Sequence, residues 1–361
     1  MMFNVYTLIY VVAWFVSFFF VVSNQKKNDT ISLYFAFTCI LIILAGFNTA
    51  SPDYLGYKTI AQNVGSYEDF YSGSTKNLHG DFTFFLISSI VNTFKLDIQF
   101  VFIIVAFISV GITSFVIYKT SCLPMLSLLL FSSHNYLNKD VIQIRAALSS
   151  ALILLAIYFF SRGRKLFGGC SYFFSLLSHS SAIVTAPPII MSRLCPPQHV
   201  KSVLFFLLIF AFFINVFAGG FFGILNYFES FLPSSVKNYL YWDIYNYDMG
   251  VLNLSSIRAL FFSLVLLWLY NKHPKSKEDV ILTFSYIFGT CILIAFSDFA
   301  ILSGRLSSIL MSGEVIVLVN AAYKMKGKSS LVFILFYSGL LLVNNVFFSS
   351  YNLGFFDFKL S

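Results

Sequence analysis

A chain of 361 residues that is 58% hydrophobic and 11% charged is not composed like a soluble domain, in which about a quarter of residues are charged. Mean hydropathy is +0.82, and 46 Phe with 21 Tyr supply lipid-facing bulk and interfacial belts. The net charge of +8 does not mark a nucleic-acid binder, because Lys and Arg fall in short clusters between apolar runs, the pattern of cytoplasmic loops.

Apolar runs lie near 4–22, 31–49, 82–94, 98–118, 122–137, 141–161, 166–190, 201–221, 257–271, 280–297, 300–321 and 330–350. They predict an all-α polytopic integral membrane protein, one membrane domain over 1–361 with about 11–13 transmembrane helices. The first run is followed by Gln25-Lys26-Lys27 rather than by a small-residue cleavage site, so it reads as a first transmembrane helix and not a signal peptide. The run 82–94 is too short: as a helix it reaches ~20 Å, against a hydrocarbon core of ~30 Å. It is expected to be re-entrant or interfacial. The run 166–190 is expected to break near Ser178-His179-Ser180, with Pro187-Pro188 weakening its second half.

These two adjustments let the cation clusters share one side: Lys26/Lys27, Lys119, Arg162/Arg164/Lys165, Arg193/Lys201, Lys272/Lys275/Lys277 and Lys324/Lys326/Lys328. Both termini then face outward. The clusters hold 14 of the 23 Lys and Arg but three of the 15 acids, a segregation the assignment did not impose. Two larger loops, 49–81 and 222–256, fall on the outer side. The first carries Asp53, Tyr54, Tyr57, Glu68, Asp69, His79 and Asp81; the second carries Asn238 to Asp248, rich in Tyr with Asp243 and Tyr247. Rings with interleaved carboxylates suit a sugar surface, and equally an aromatic belt on the headgroups.

The stretch Ser132–Ser149 interrupts two apolar runs with His134, Asn135, Asn138, Lys139 and Asp140, and then sets Arg145 inside the next. A cation at that depth costs ~2.5–3.5 kcal/mol, so it either snorkels to the interface or binds an anion in a water-filled cavity. Arg145, Arg258 and Arg305 come from separate segments but fall at one level on this topology. Three guanidinium forks there would match phosphate or pyrophosphate oxygens. His179 and Asp298 lie at the same level. His179 reads either as an interhelical hydrogen-bonder or as a base, and Asp140 either as an ion pair with Lys139 or as a base. Glu314 is expected to be protonated or paired. The five Cys are scattered without metal spacing, and no P-loop, GxGxxG or nucleophile elbow is found, so neither metal nor cofactor is implied.

Four short motifs carry a family likeness: Asp53-Tyr54-Leu-Gly-Tyr57, Ile144-Arg145-Ala-Ala-Leu-Ser149, His179-Ser-Ser-Ala182 and Gly304-Arg305-Leu306. In this order the chain resembles bacterial O-antigen and exopolysaccharide polymerases, Wzy and the EpsG-like group. It departs at Ala146, where the family often carries Gln. The resemblance implies a membrane glycosyltransferase of the bacterial inner membrane with its active site at the periplasmic face. Such an enzyme moves a growing glycan from one undecaprenyl pyrophosphate onto another lipid-linked oligosaccharide repeat unit. It implies that Arg145, Arg258 and Arg305 hold the pyrophosphate, that His179 or Asp140 is the base, and that Asp53, Tyr54, Tyr57, Asp243 and Tyr247 bind sugar. Membrane lipid, a chain-length regulator and a flippase would be its partners, and no nucleic acid. The competing expectation is a flippase or transporter of the same lipid-linked oligosaccharide, which also needs cations for a pyrophosphate but around a cavity open to both faces. An O-acyltransferase ranks last, since no acyltransferase motif surrounds His179.

Overall fold

Inside a bilayer a backbone amide finds no water, so an apolar run must satisfy its own hydrogen bonds and becomes a helix. The computed structural model describes residues 5–23, 30–73, 75, 78, 80–217, 220, 230, 248–270 and 276–348. Among them no strand occurs. Seven helical stretches are long and apolar enough to cross a membrane, and four shorter apolar helices span Ile31–Gly46, Phe82–Thr93, Pro124–Ser133 and Leu254–Leu269. The protein is an all-α polytopic membrane protein. Its chain divides into two units, residues 1–180 with 318–361, and residues 181–317.

The first unit opens with α1 (Val5–Ser23) and α2 (Ile31–Gly46), followed by two short helices, α3 (Tyr54–Asn63) and α4 (Tyr67–Ser72), within the loop 49–81. Then come α5 (Phe82–Thr93), α6 (Gln99–Thr120), α7 (Pro124–Ser133), α8 (Ile144–Ser161) and α9 (Lys165–Ser178). At 22 residues α6 is about 33 Å long and spans the core, whereas the 12 residues of α5 do not, as the sequence predicts. Gly46 lets α2 lie close against α6: a Cβ there would stand 3.1 Å from the Ile103 Cα. Ser149 and Ser175 hydrogen-bond each other's hydroxyl (3.0 Å) and carbonyl (3.1 Å each), closing α8 onto α9 through small residues. The Tyr6 hydroxyl donates to the Ser132 carbonyl, and Tyr136 donates to Leu41 O at 2.8 Å.

The predicted run 122–137 ends sooner, at Ser133. The Asn138 amide donates to the His134 carbonyl (2.9 Å), and the Asn345 amide donates to Ser133 O (2.8 Å), so side chains take backbone acceptors at the break. A π-helical turn, Tyr136–Ile142, follows. It buries Lys139 and Asp140 to 5% exposure each. Lys139 donates to Ser150 on α8 at 2.9 Å, and Ser109, midway along α6, donates to Asp140 at 2.6 Å. The break near His179 is as predicted: α9 stops at Ser178 and a 3-10 turn, Ser180–Thr185, follows.

In the second unit α10 (Ala186–Leu194) begins with Pro187-Pro188 in its first turn. There the missing N–H groups have no intrahelical acceptor to lose, so these prolines start a helix rather than weaken one. Next are α11 (Val200–Phe217), α12 (Leu254–Leu269), α13 (Lys277–Ala295) and α14 (Ala300–Leu310). A 3-10 turn, Met311–Gly313, leads into α15 (Glu314–Lys324), which carries the chain back into the first unit. Asn253 caps α12, and Ser276 with Asp279 forms a capping box on α13. Asn215 of α11 donates to Ile294 O (3.1 Å) and Ser297 Oγ (2.8 Å) at the end of α13. Helix α16 (Lys328–Val343) belongs to the first unit, where Tyr10 and Trp14 of α1 donate to Ser338 Oγ (3.0 Å) and Leu335 O (3.1 Å). Most of the loop 222–256, including Asp243 and Tyr247, lies outside the described residues.

Candidate functional site

The site grows from three helix ends that the first unit brings together. Asp81 stands in the N-cap position of α5 with extended backbone. Arg145 is the second residue of α8, and His179 is the residue that ends α9, also extended. The ends are pinned by hydroxyls: Ser178 Oγ donates to Thr83 Oγ1 at 3.0 Å, joining the last turn of α9 to the first of α5. The His179 amide donates to Ser175 O at 3.0 Å.

One carboxylate oxygen serves two cationic or protonatable groups. Asp81 Oδ2 lies 3.0 Å from Arg145 NH1 and 3.5 Å from His179 Nδ1. The three side chains keep 16%, 15% and 24% of their surface, so the cluster is shielded but open to a ligand. Asp81 Oδ2, His179 Nδ1 and Arg145 Nε are themselves out of solvent and make no close hydrogen bond with other protein atoms. Buried polar atoms in that condition mark a place where a further partner fits.

The floor is aromatic. The Arg145 guanidinium sits 5.4 Å from the centroid of the Tyr57 ring, and Tyr57 packs on Phe84 at 5.6 Å. Burial raises the Tyr57 hydroxyl above its ordinary range; Arg145 opposes that, while Asp53 and Asp81 add to it. Tyr57 therefore stays protonated. It is buried with Tyr54, whose hydroxyl donates to Gln99 Oε1 at 2.7 Å and whose ring packs on Phe102 at 4.7 Å. Asn92 of α5 donates to Ala61 O (2.9 Å) and Gly65 O (3.1 Å), fastening the end of α3 to α5.

The other expected site residues are distributed. Asp140 has a different partner, Ser109, and is 5% exposed. Arg258 and Arg305 belong to the second unit. Arg258 NH2 on α12 lies 4.0 Å from Glu314 Oε2 at the start of α15, so Glu314 is paired, as the sequence suggests. Arg305 is exposed on α14. Among the described residues no group of three or more His, Cys, Asp or Glu could hold a metal ion. Asp81 is the residue that sequence reasoning left among the carboxylates of the loop 49–81 without giving it a role in the site. An Asp just before an apolar run reads as a helix N-cap, and only the crossing of α8 and α9 reveals what its carboxylate faces.

A multi-pass membrane protein with an arginine, a histidine and a carboxylate gathered beside an extramembrane helix is the class that fold and site define. The chain belongs to the EpsG family, which it matches over residues 31–360. It is also 26% identical over 272 residues to the amylovoran biosynthesis protein AmsC of Erwinia amylovora, an overlap of 72% of this chain and 65% of that protein. The chain thus spans about two thirds of the length of that curated relative. No solved structure matches it.

Proposed function

We propose that this protein polymerises lipid-linked oligosaccharide repeat units at the outer face of the inner membrane, moving the growing glycan from one undecaprenyl pyrophosphate onto a new lipid-linked unit. The observation that carries this reading is the Asp81–Arg145–His179 cluster in a chain of the EpsG family. The AmsC relative, named for amylovoran biosynthesis, is in keeping with it.

The chemistry needs little besides charge and a base. The acceptor hydroxyl attacks the anomeric carbon of the donor; the new glycosidic C–O bond forms as the C–O bond to pyrophosphate breaks. The leaving electron pair stays on the pyrophosphate oxygen, and Arg145 is placed to stabilise it. Arg258 and Arg305 are assigned to anion binding as well. The acceptor proton goes to His179, which geometry favours over Asp140: its ring is about a quarter exposed, while Asp140 is sealed against α6. Asp53, Tyr54 and Tyr57, with Asp243 and Tyr247, are assigned to the sugar side.

The test is the surface-glycan ladder of a strain lacking the gene, complemented with the parent, Arg145→Ala or Arg305→Ala. Single-repeat glycan that persists while long chains vanish, with each variant inserted at parental level, is the expected result. Loss of the single-repeat band as well would overturn the reading in favour of export of the same lipid-linked unit. Parental chain lengths from both variants would overturn the arginine assignment.

A further inference from the structure

We infer that Asp81 is a positioning residue: it holds His179 as the Nδ1–H tautomer, so that the opposite ring nitrogen, Nε2, is the free base, while steadying Arg145 with the same carboxylate oxygen. This rests on the polymerase reading for its consequence in catalysis, but the tautomer itself does not.

Three observations carry it. An Asp at an N-cap with extended backbone ordinarily accepts from the N–H groups of the first turn, a contact worth ~1 kcal/mol. Asp81 has the position and the backbone, φ −111° and ψ 149°, yet its side chain makes no capping bond; it turns toward Arg145 and His179 instead. A residue with only a structural task at this place would cap its helix. Second, His179 Nδ1 is out of solvent while the side chain retains 24% of its surface, so what is accessible of it is not the nitrogen facing Asp81. Third, Asp81 uses one oxygen on one guanidinium nitrogen, which leaves the buried Arg145 Nε without a hydrogen-bond partner and able to donate to a second anion.

The division of labour then follows. With Nδ1–H directed at the Asp81 carboxylate, Nε2 carries the lone pair, takes the acceptor hydroxyl proton as the glycosidic bond forms, and leaves an imidazolium whose charge the carboxylate balances. Asp81 stays ionised throughout and gains no proton. Without it the ring is free to turn, and the tautomer with the proton on Nε2 has no lone pair to offer. Arg145 loses its anchor in the same substitution.

Two measurements test this. The first is nitrogen-15 NMR of histidine-labelled protein in lipid, with the His179 signal assigned by its loss in His179→Gln. The parent should show the Nδ1-protonated tautomer, and Asp81→Asn a shift toward Nε2–H. A parent protonated at Nε2 overturns the inference whether or not the protein polymerises anything. The second uses purified protein in nanodiscs, supplied with lipid-pyrophosphate-linked repeat units extracted from a strain lacking the gene. Asp81→Asn should lower kcat ~10²-fold or more with KM little moved. Asp81→Glu should recover part of the loss. The double variant Asp81→Asn/His179→Ala should lose less than the product of the two single losses, because the part of Asp81's effect that passes through His179 is already gone and only its hold on Arg145 remains. Parental kcat in Asp81→Asn, or losses that multiply in the double variant, overturn the inference. Failure of the parent to elongate the units overturns the polymerase reading instead and leaves the NMR result to decide the tautomer.

Discussion

Asp81 Oδ2 stands 3.0 Å from Arg145 NH1, joining the start of α5 to the start of α8 across 64 positions of chain, while the guanidinium covers the Tyr57 ring on its other side. Arginine is required there for shape as well as charge. A lysine ammonium would keep the ion pair but could not cover the ring and still direct further N–H groups at a phosphate. Arg145→Ala is expected to lower elongation about 10²–10³-fold, the loss typical of removing one transition-state donor. Arg145→Lys should recover only a small part. Arg145→Lys, which keeps the charge beside Asp81, should insert at parental level, whereas Arg145→Ala also leaves a largely buried carboxylate without its cation and should be compared at matched inserted level. Chain-length distributions at matched expression would check this, and near-parental chains from Arg145→Lys would sink the argument for the fork.

Gly80 fixes the approach to Asp81. A Cβ at position 80 would lie 2.4 Å from Phe85 Cε1, and that ring is buried at 7% exposure, so it has nowhere to retreat. Gly80→Ala should therefore cost about 1–3 kcal/mol, as overpacked sites do, and displace the carboxylate next to it. We expect a lower melting temperature together with shortened glycan chains. Trimming the ring in Gly80→Ala/Phe85→Leu should return much of both. An unchanged melting temperature in the single variant would mean the start of α5 yields more readily than its packing suggests.

The sequence made the all-helical membrane fold legible because the requirement is simple: apolar length with internally satisfied amides. It also marked the short α5 by length and the break at His179 by its Ser-His-Ser interruption. Local chemistry was harder to read. Pro187-Pro188 looks like a disruption until the helix start is known, and then it is the first turn. Asn138 looks like one more polar interruption of an apolar run until its amide is seen ending α7. The site was half legible. Arg145 and His179 announce themselves as polar groups in apolar runs, but Asp81 is indistinguishable from a cap, and Asp140 looks like an outer residue until Ser109 brings it beside the middle of α6. Pairings between segments distant in sequence decide such cases, and no local pattern encodes them.

Asn320 supports the turn between α6 and α7. Its side-chain oxygen accepts from the Cys122 amide at 2.8 Å and its nitrogen donates to Thr120 O at 3.1 Å, so one residue satisfies both sides of a chain reversal. Asn320→Leu removes both bonds and leaves the amide and carbonyl without them. The expected loss is about 1–2 kcal/mol in a lipid-facing protein, visible as a lower melting temperature in detergent with glycan chain lengths retained when the protein is made at low temperature. Asn320→Asp, which keeps the acceptor for Cys122, should lie between the two.

Asp140 provides the counter-experiment to His179. Both were candidates for the base, and they differ in surroundings: Asp140 accepts from Ser109 at 2.6 Å and is 5% exposed, whereas His179 keeps an accessible edge. If Asp140 is there to hold the π-helical turn against α6, a neutral acceptor should do as well. Asp140→Asn should then keep both insertion and chain length. Asp140→Leu, which offers the buried Ser109 hydroxyl no acceptor, should be made in lower yield; leaving a buried donor without its acceptor costs about 1–3 kcal/mol. His179→Asn should show the opposite pattern, normal yield with single-repeat glycan alone. Should Asp140→Asn abolish elongation at parental yield while His179→Asn elongates normally, the two roles are exchanged: the carboxylate beside α6 is the base, and the histidine is the structural residue.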